Sequence, residues 1–164
     1  MTTKIGIYPG AFDPITFGHL DIIKRSLNIV DKLIIGVADN INKKSLLSLD
    51  DRKKLILSDI KTYLETKVDI SIKTVSGLLT DYAKKNNVTC IIRGLRAVSD
   101  FEYEFQMTGM NYQLNPNVDT IFLMSSEKYS FISSNFIKEV HNLGGNVSRF
   151  VSKNTINILD IKNI

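Results

Sequence analysis

The sequence predicts an α/β fold, a single doubly wound domain with a five-stranded parallel sheet. Three observations point to it. Short apolar runs alternate with amphipathic helical patterns along the 164 residues. The runs are nearly continuous in large aliphatic residues, as in KLIIGVA at 32–38 and VDTIFLM at 118–124, which marks strands covered on both faces. The first run also passes into the first helical pattern through a turn containing two Pro and two Gly, Tyr8-Pro9-Gly10-Ala11-Phe12-Asp13-Pro14-Ile15-Thr16-Phe17-Gly18-His19. Such turns are where α/β proteins hold anions, because free N–H groups and the helix dipole meet there.

Each element has its own signal. Lys4 to Tyr8 reads as the first strand, and Gly18 to Ile29 as the first helix, with Leu20, Ile23 and Leu27 on one face. Lys32 to Ala38 is a buried second strand. Ser48 caps a helix running to about Lys61, with Asp51 three residues after the cap. Val68 to Val75 alternates apolar and polar residues, as a less buried strand does. Gly77 to Asn86 is a short helix with Leu78, Leu79, Tyr82 and Ala83 on one side. Thr89 to Ile92 is the fourth strand. Ser99, with Glu102 as its capping-box partner, opens a helix to about Gln113, and the i,i+4 pair Phe101 and Phe105 is assigned to the core. Val118 to Met124 is the fifth strand. Ser133 or Ser134 caps a helix to about Asn142, and Ile156, Leu159 and Ile161 mark a last one. This is a Rossmann-like arrangement.

Composition narrows the function classes. Hydrophobic residues make up 43% and charged residues 23%, ordinary for a globular protein. A formal charge of +4 suits anionic ligands, but the basic residues are scattered as pairs rather than gathered in a block, so nucleic acid is not expected as a partner. The one cysteine, Cys90, lies in an apolar run and is read as a small core residue. His19 and His141 lack metal-ligand spacing, and His141, near a helix end, is read as structural. No apolar run approaches the roughly 20 residues needed to span a bilayer, and no signal peptide is visible. A cytoplasmic protein without a membrane partner is expected.

Ligands of such sheets bind beyond the carboxyl ends of the strands. The segments following the strands carry His19, the pair Lys43-Lys44, Arg93-Gly94-Leu95-Arg96, and the hydroxyl-rich Ser125 to Asn135. This inventory suits more than one phosphate, and it contains no evident nucleophile–base pair. Arg93 and Arg96 could pair with Asp100 and Glu102. Two charges directly beyond a buried strand nevertheless call for an anionic partner, and a ligand is the favoured one.

The segments YPGAFDPITFGH, the KK after the second strand, IIRGLRAVSDFEYEF and SFISSNFIKEV together resemble the bacterial phosphopantetheine adenylyltransferase family. T-x-G-H alone marks a wider nucleotidyltransferase superfamily, whereas IIRGLRAVSDFEYE is specific to this family. The resemblance covers almost the whole chain. It implies transfer of AMP from ATP to 4′-phosphopantetheine, giving dephospho-coenzyme A and pyrophosphate, with Mg²⁺ as cofactor and a homohexamer as the assembly. It places His19 and Thr16 at the reacting α-phosphate, with Lys43 and Arg96 also catalytic. Ala11, Lys43, Leu79 and Arg93 fall at the acceptor. Ala11, Phe12, His19, Gly94, Leu95, Arg96, Glu104 and the run Tyr129, Ser130, Phe131, Ile132, Ser133, Ser134 and Asn135 fall at ATP. Two positions depart from the family pattern: Ala11 replaces a hydroxyl residue, and Asn135 interrupts a run of serines. The nearest alternative is another small nucleotidyltransferase, such as a glycerol-3-phosphate cytidylyltransferase, which would share T-x-G-H but not R-G-L-R-A. A non-catalytic nucleotide- or RNA-binding module is a further alternative, disfavoured by the lack of a basic block.

Overall fold

The computed structural model describes residues 3–39 and 45–162. Among these are five strands and six helices: β1 (Ile5–Gly10), α1 (Phe17–Ser26), β2 (Lys32–Ala38), α2 (Leu49–Tyr63), β3 (Asp69–Val75), α3 (Leu79–Lys85), β4 (Cys90–Leu95), α4 (Val98–Leu114), β5 (Asp119–Met124), α5 (Ser134–Asn142) and α6 (Lys153–Ile161). The strands form one parallel sheet in the order β3-β2-β1-β4-β5. The order reverses between β1 and β4, which opens a crevice at their carboxyl ends.

Residue parity along the strands sends side chains to two opposite cores. Tyr8, Ile35, Val37 and Ile92 pack with Leu20 and Ile23 of α1 and Leu55 and Ile56 of α2. Ile7, Ile91 and Val75 pack on the other face with Ala83 of α3. The Phe101 ring of α4 meets Phe122 of β5 at 5.7 Å, and Phe122 stands opposite Arg93 in register, two residues on from Ile91. Helix α4 therefore shares the α3 face, and the sheet is doubly wound as expected. A third core joins α5 and α6 through Ile137, Val147, Val151 and Leu159. Cys90 is buried, as its apolar run implies.

Three expectations need correction. Strand β4 runs three residues further than Ile92, so Arg93, Gly94 and Leu95 lie within it. The ladder continues because Arg93 finds an ionic partner beside the strand and Leu95 is buried. Helix α4 is capped neither by Ser99 nor by a Ser99–Glu102 box. Its N-cap is Ala97, and the Asp100 carboxylate reaches back to the Arg96 amide at 3.1 Å. Phe101 and Phe105 are not core residues of this chain: no residue of α4 is buried, and Phe105 is 63% exposed.

At Gly94 the close approach of α1 leaves no room for a side chain. A Cβ there would stand 2.9 Å from Ile22 Cγ1, so α1 could not lie this close to β4 with a side chain in between. That closeness brings the start of α1 to the end of β4, where the crevice lies.

Candidate active site

The crevice has a volume of about 650 Å³ and is walled by the ends of β1 and β4, the starts of α1, α4 and α5, and Ser125 with Tyr129. Its floor is the T-x-G-H turn. Thr16 is the N-cap of α1, and His19 takes the third helical position. The two residues form a reciprocal capping box, in which the Thr16 hydroxyl accepts the His19 amide and His19 Nδ1 accepts the Thr16 amide at 3.0 Å. Histidine thus does what Glu or Gln usually does in this motif. The spacing of Thr and His is that of a single helical turn.

This box fixes the chemistry of the imidazole. Burial, and after it the positive charge of Arg96, brings the His19 pKa down to about 4, so the ring is neutral near pH 7. With Nδ1 occupied as an acceptor, the proton resides on Nε2. The ring is braced by Phe12, whose centroid lies 5.1 Å away, and Phe12 is braced edge-on by Tyr8 at 5.5 Å. Phe12 holds a left-handed φ of 50°, a strained conformation for a bulky residue, and it is fixed there by near-complete burial. Burial raises the Tyr8 phenol well above its ordinary value against the pull of Arg93 and Arg96, so it stays protonated.

The second wall is cationic. Arg93 presents its fork to Glu104 of α4, with Nε at 2.7 Å from Oε2, and its Nη1 donates to the Pro9 carbonyl at 3.0 Å. Arg96 pairs with Asp100 at 3.0 Å. Burial alone would push the Asp100 carboxyl up, but hydrogen bonds and charge from Arg96 outweigh that and hold it below the usual carboxylate range. The partners of the two arginines are therefore Glu104 and Asp100, not Glu102. Beside Arg96, whose Nη1 donates to the Ile132 carbonyl at 3.4 Å, α5 begins at the crevice. Ser133 caps it by accepting the Phe136 amide at 3.1 Å, and the Ser134 hydroxyl donates to the Pro14 carbonyl at 2.7 Å.

The structure gathers Thr16, His19, Arg93, Gly94, Arg96, Glu104, Tyr129, Ile132, Ser133, Ser134 and Asn135 around this one crevice. Other residues expected at the site do not line it. Phe12 and Leu95 are buried behind it, and Leu79 packs against the core from the first turn of α3. Ala11 is exposed outside it, with its carbonyl accepting from Arg52, and Ser130 and Phe131 lie beyond its edge. Lys43 and Lys44 fall outside the described residues. Sequence reasoning missed Tyr8, Tyr103 and Phe136 as lining residues. Tyr8 lies on the face of β1 opposite Ile7, so the apolar positions of the strand gave no signal for it. His141 bonds to Asp160 of α6 at 2.9 Å, in keeping with a structural role.

Such a crevice, at the switch point of a doubly wound sheet, is where ligands of this fold bind. The sequence profile of the cytidylyltransferase-like family matches residues 7–140. A phosphopantetheine adenylyltransferase of Wolbachia pipientis from Culex pipiens is 56% identical over 93% of this chain and 89% of its own length. One from Rhodospirillum centenum is 50% identical over 91% of this chain and 81% of its own. The nicotinic acid mononucleotide adenylyltransferase of Plasmodium falciparum, solved with NaAD, shares the fold with a TM-score of 0.71 at 16% identity, over 99% of this chain and 97% of that one. The chain belongs to the phosphopantetheine adenylyltransferase family, within the cytidylyltransferase-like nucleotidyltransferases, and is an adenylyltransferase of coenzyme A biosynthesis.

Proposed function

We propose that the crevice binds ATP with its α-phosphate at His19 Nε2, and 4′-phosphopantetheine with its phosphate on the Arg93 side. The observation that carries this reading is the His19–Thr16 box. It commits Nδ1 to the protein and leaves one fixed N–H donor for an oxygen on which charge develops during transfer. An acceptor phosphate oxygen attacks the α-phosphorus, the bond to the pyrophosphate oxygen breaks, and pyrophosphate leaves with the electron pair. The acceptor is already largely a dianion near neutral pH, so no general base is needed. The difficulty is bringing two anions together, which Arg93, Arg96 and Lys43 would ease. The start of α5 suits the departing phosphates, with first-turn amides that lack intrahelical partners. Ser133 and Ser134 are both engaged with backbone groups, which supports direct in-line transfer over a covalent intermediate.

The resemblance also implies Mg²⁺. Among the described residues there is no carboxylate or histidine cluster fit to hold a metal, and Asp100 and Glu104 are each committed to an arginine. The ion would therefore come in on the nucleotide phosphates, where it would neutralise charge on the leaving pyrophosphate. A homo-oligomer, a hexamer by the family resemblance, is supported by α4, which exposes Val98, Phe105, Met110 and Leu114. A cytoplasmic setting fits such a catalyst, and no described helix is long and apolar enough to cross a membrane.

A coupled pyrophosphate assay tests the reading. ATP with 4′-phosphopantetheine should release pyrophosphate, whereas pantetheine lacking the phosphate should be a very poor acceptor. Equal turnover of the two would overturn the assignment of Arg93 and Lys43 to the acceptor phosphate.

A further inference from the structure

Asp13 lies in the turn before Thr16 and is almost fully buried, at 6% exposure. Its carboxylate takes three donors from the protein. Oδ1 accepts the Leu47 amide at 2.8 Å, and Oδ2 accepts the Leu46 amide at 2.9 Å and meets Lys138 Nζ at 3.2 Å. These donors come from two places far away in sequence, the segment just before α2 and the second turn of α5. The turn is tied further on both sides. Arg52 of α2 donates to the Ala11 carbonyl at 2.8 Å and to Ala38 at the end of β2 at 3.0 Å, and Ser134 of α5 donates to the Pro14 carbonyl at 2.7 Å.

Buried, absent from the crevice lining and already taking three donors, Asp13 is a structural group and not a catalytic one. Its geometry does something else. Lys138 and Ser134 are one turn apart on α5, and both are pinned to consecutive residues of the turn that presents His19. We infer that Asp13, acting through Lys138, is a positioning residue for adenylyl transfer: it sets the start of α5 at a fixed distance from His19, so that the α-phosphate and the departing phosphates are met at once. The inference rests on the reading that α5 receives the nucleotide phosphates. A misplacement of the order of 1 Å between such groups is enough to cost a large factor in rate.

The test compares Asp13→Asn, Lys138→Met and Lys138→Arg by steady-state kinetics, thermal melting and amide NMR. Asp13→Asn keeps one acceptor oxygen but loses the charge facing Lys138. It should lower kcat/KM for ATP by about ten- to a hundred-fold and speed hydrogen exchange at the Leu46 and Leu47 amides. Lys138→Met, which breaks only the α5 arm, should lower kcat/KM for ATP by about ten-fold while those two amides stay protected and the KM for the acceptor holds. Lys138→Arg should restore most of the loss. In the wild type, ATP should shift the amide resonances of Ser134, Asn135 and Phe136. If those shifts occur but Lys138→Met melts lower with unchanged kinetics, Asp13 and Lys138 serve stability only and the proposal fails alone. If ATP leaves those resonances still in the wild type, the nucleotide reading of α5 fails and takes the proposal with it.

Discussion

The starts of α1 and α4 both line the crevice, and they are built in opposite ways. The start of α1 is closed by its own residues: Thr16 and His19 cap each other, Phe12 braces the ring, and α1 buries Leu20, Ile22 and Ile23 against the sheet. The start of α4 has no side-chain cap, and the helix buries none of its 17 residues. Its polar contributions, Asp100 and Glu104, are spent holding arginines of the neighbouring strand and turn. The α1 wall is preorganised within one chain. The α4 wall takes its order from ion pairs on one side and leaves its apolar surface exposed.

The largest effect should come from breaking the closed wall. His19→Ala should lower kcat by roughly 100- to 1,000-fold, the size expected for loss of one preorganised donor, with a much smaller change in ATP affinity. A folded variant with near-normal kcat would show that Nε2 does not meet the developing charge.

Next in size is the anchor of the other wall. Glu104→Gln keeps the shape of the side chain but removes the charge that fixes Arg93, and kcat/KM for the acceptor should fall by about ten-fold or more. Should the KM for 4′-phosphopantetheine improve instead, Glu104 would be a competitor for the Arg93 fork rather than its support.

A smaller change in catalysis, but a clear one in mass, should follow Phe105→Glu combined with Met110→Glu. These side chains are 63% and 61% exposed on α4 and should be covered in the assembly. Sedimentation should show an oligomer for the wild type and a monomer for the double variant. Retained assembly would move the interface off this face.

The last prediction is a flat line. Because His19 is held neutral down to about pH 4, kcat should show no inflection from it near the ordinary imidazole value of 6.5. Stability carries the matching sign. An unfolded His19 takes up a proton as the pH falls through 6.5, while the folded one does so only near 4, so folding stability drops across that window. His19→Gln should therefore melt higher relative to wild type at about pH 5 than at about pH 7.5. An equal difference at both pH values would show that the ring is not held neutral.

The same contrast separates what was legible in the sequence from what was not. The strands declared themselves through continuous aliphatic runs, because a parallel sheet is covered on both faces; β2 spans Lys32–Ala38 as read. The Thr16–His19 pair stood out in the sequence as a motif, and the structure joins it as a capping box, a local device with both partners inside one helical turn. The extent of β4 and the capping of α4 were misread together. Arg93 looked like the end of a strand because an unpartnered charge would end one, and its partner lies eleven residues on, across the β4–α4 turn. Phe101 and Phe105 were read as core because their spacing shows that one helix face is apolar without showing what covers it.

The sequence by itself determined the alternation of strands and helices, the Pro- and Gly-rich turn into α1 and the family, since each rests on contacts within a few residues or on motifs written in order along the chain. Only the tertiary structure decided that Arg93 meets Glu104, that burial holds His19 neutral, and that Asp13 gathers Leu46, Leu47 and Lys138 from 33, 34 and 125 residues away. The physical reason is common to all three. Burial and long-range pairing set charge states and spacings, and both depend on groups that become neighbours only after the sheet has assembled.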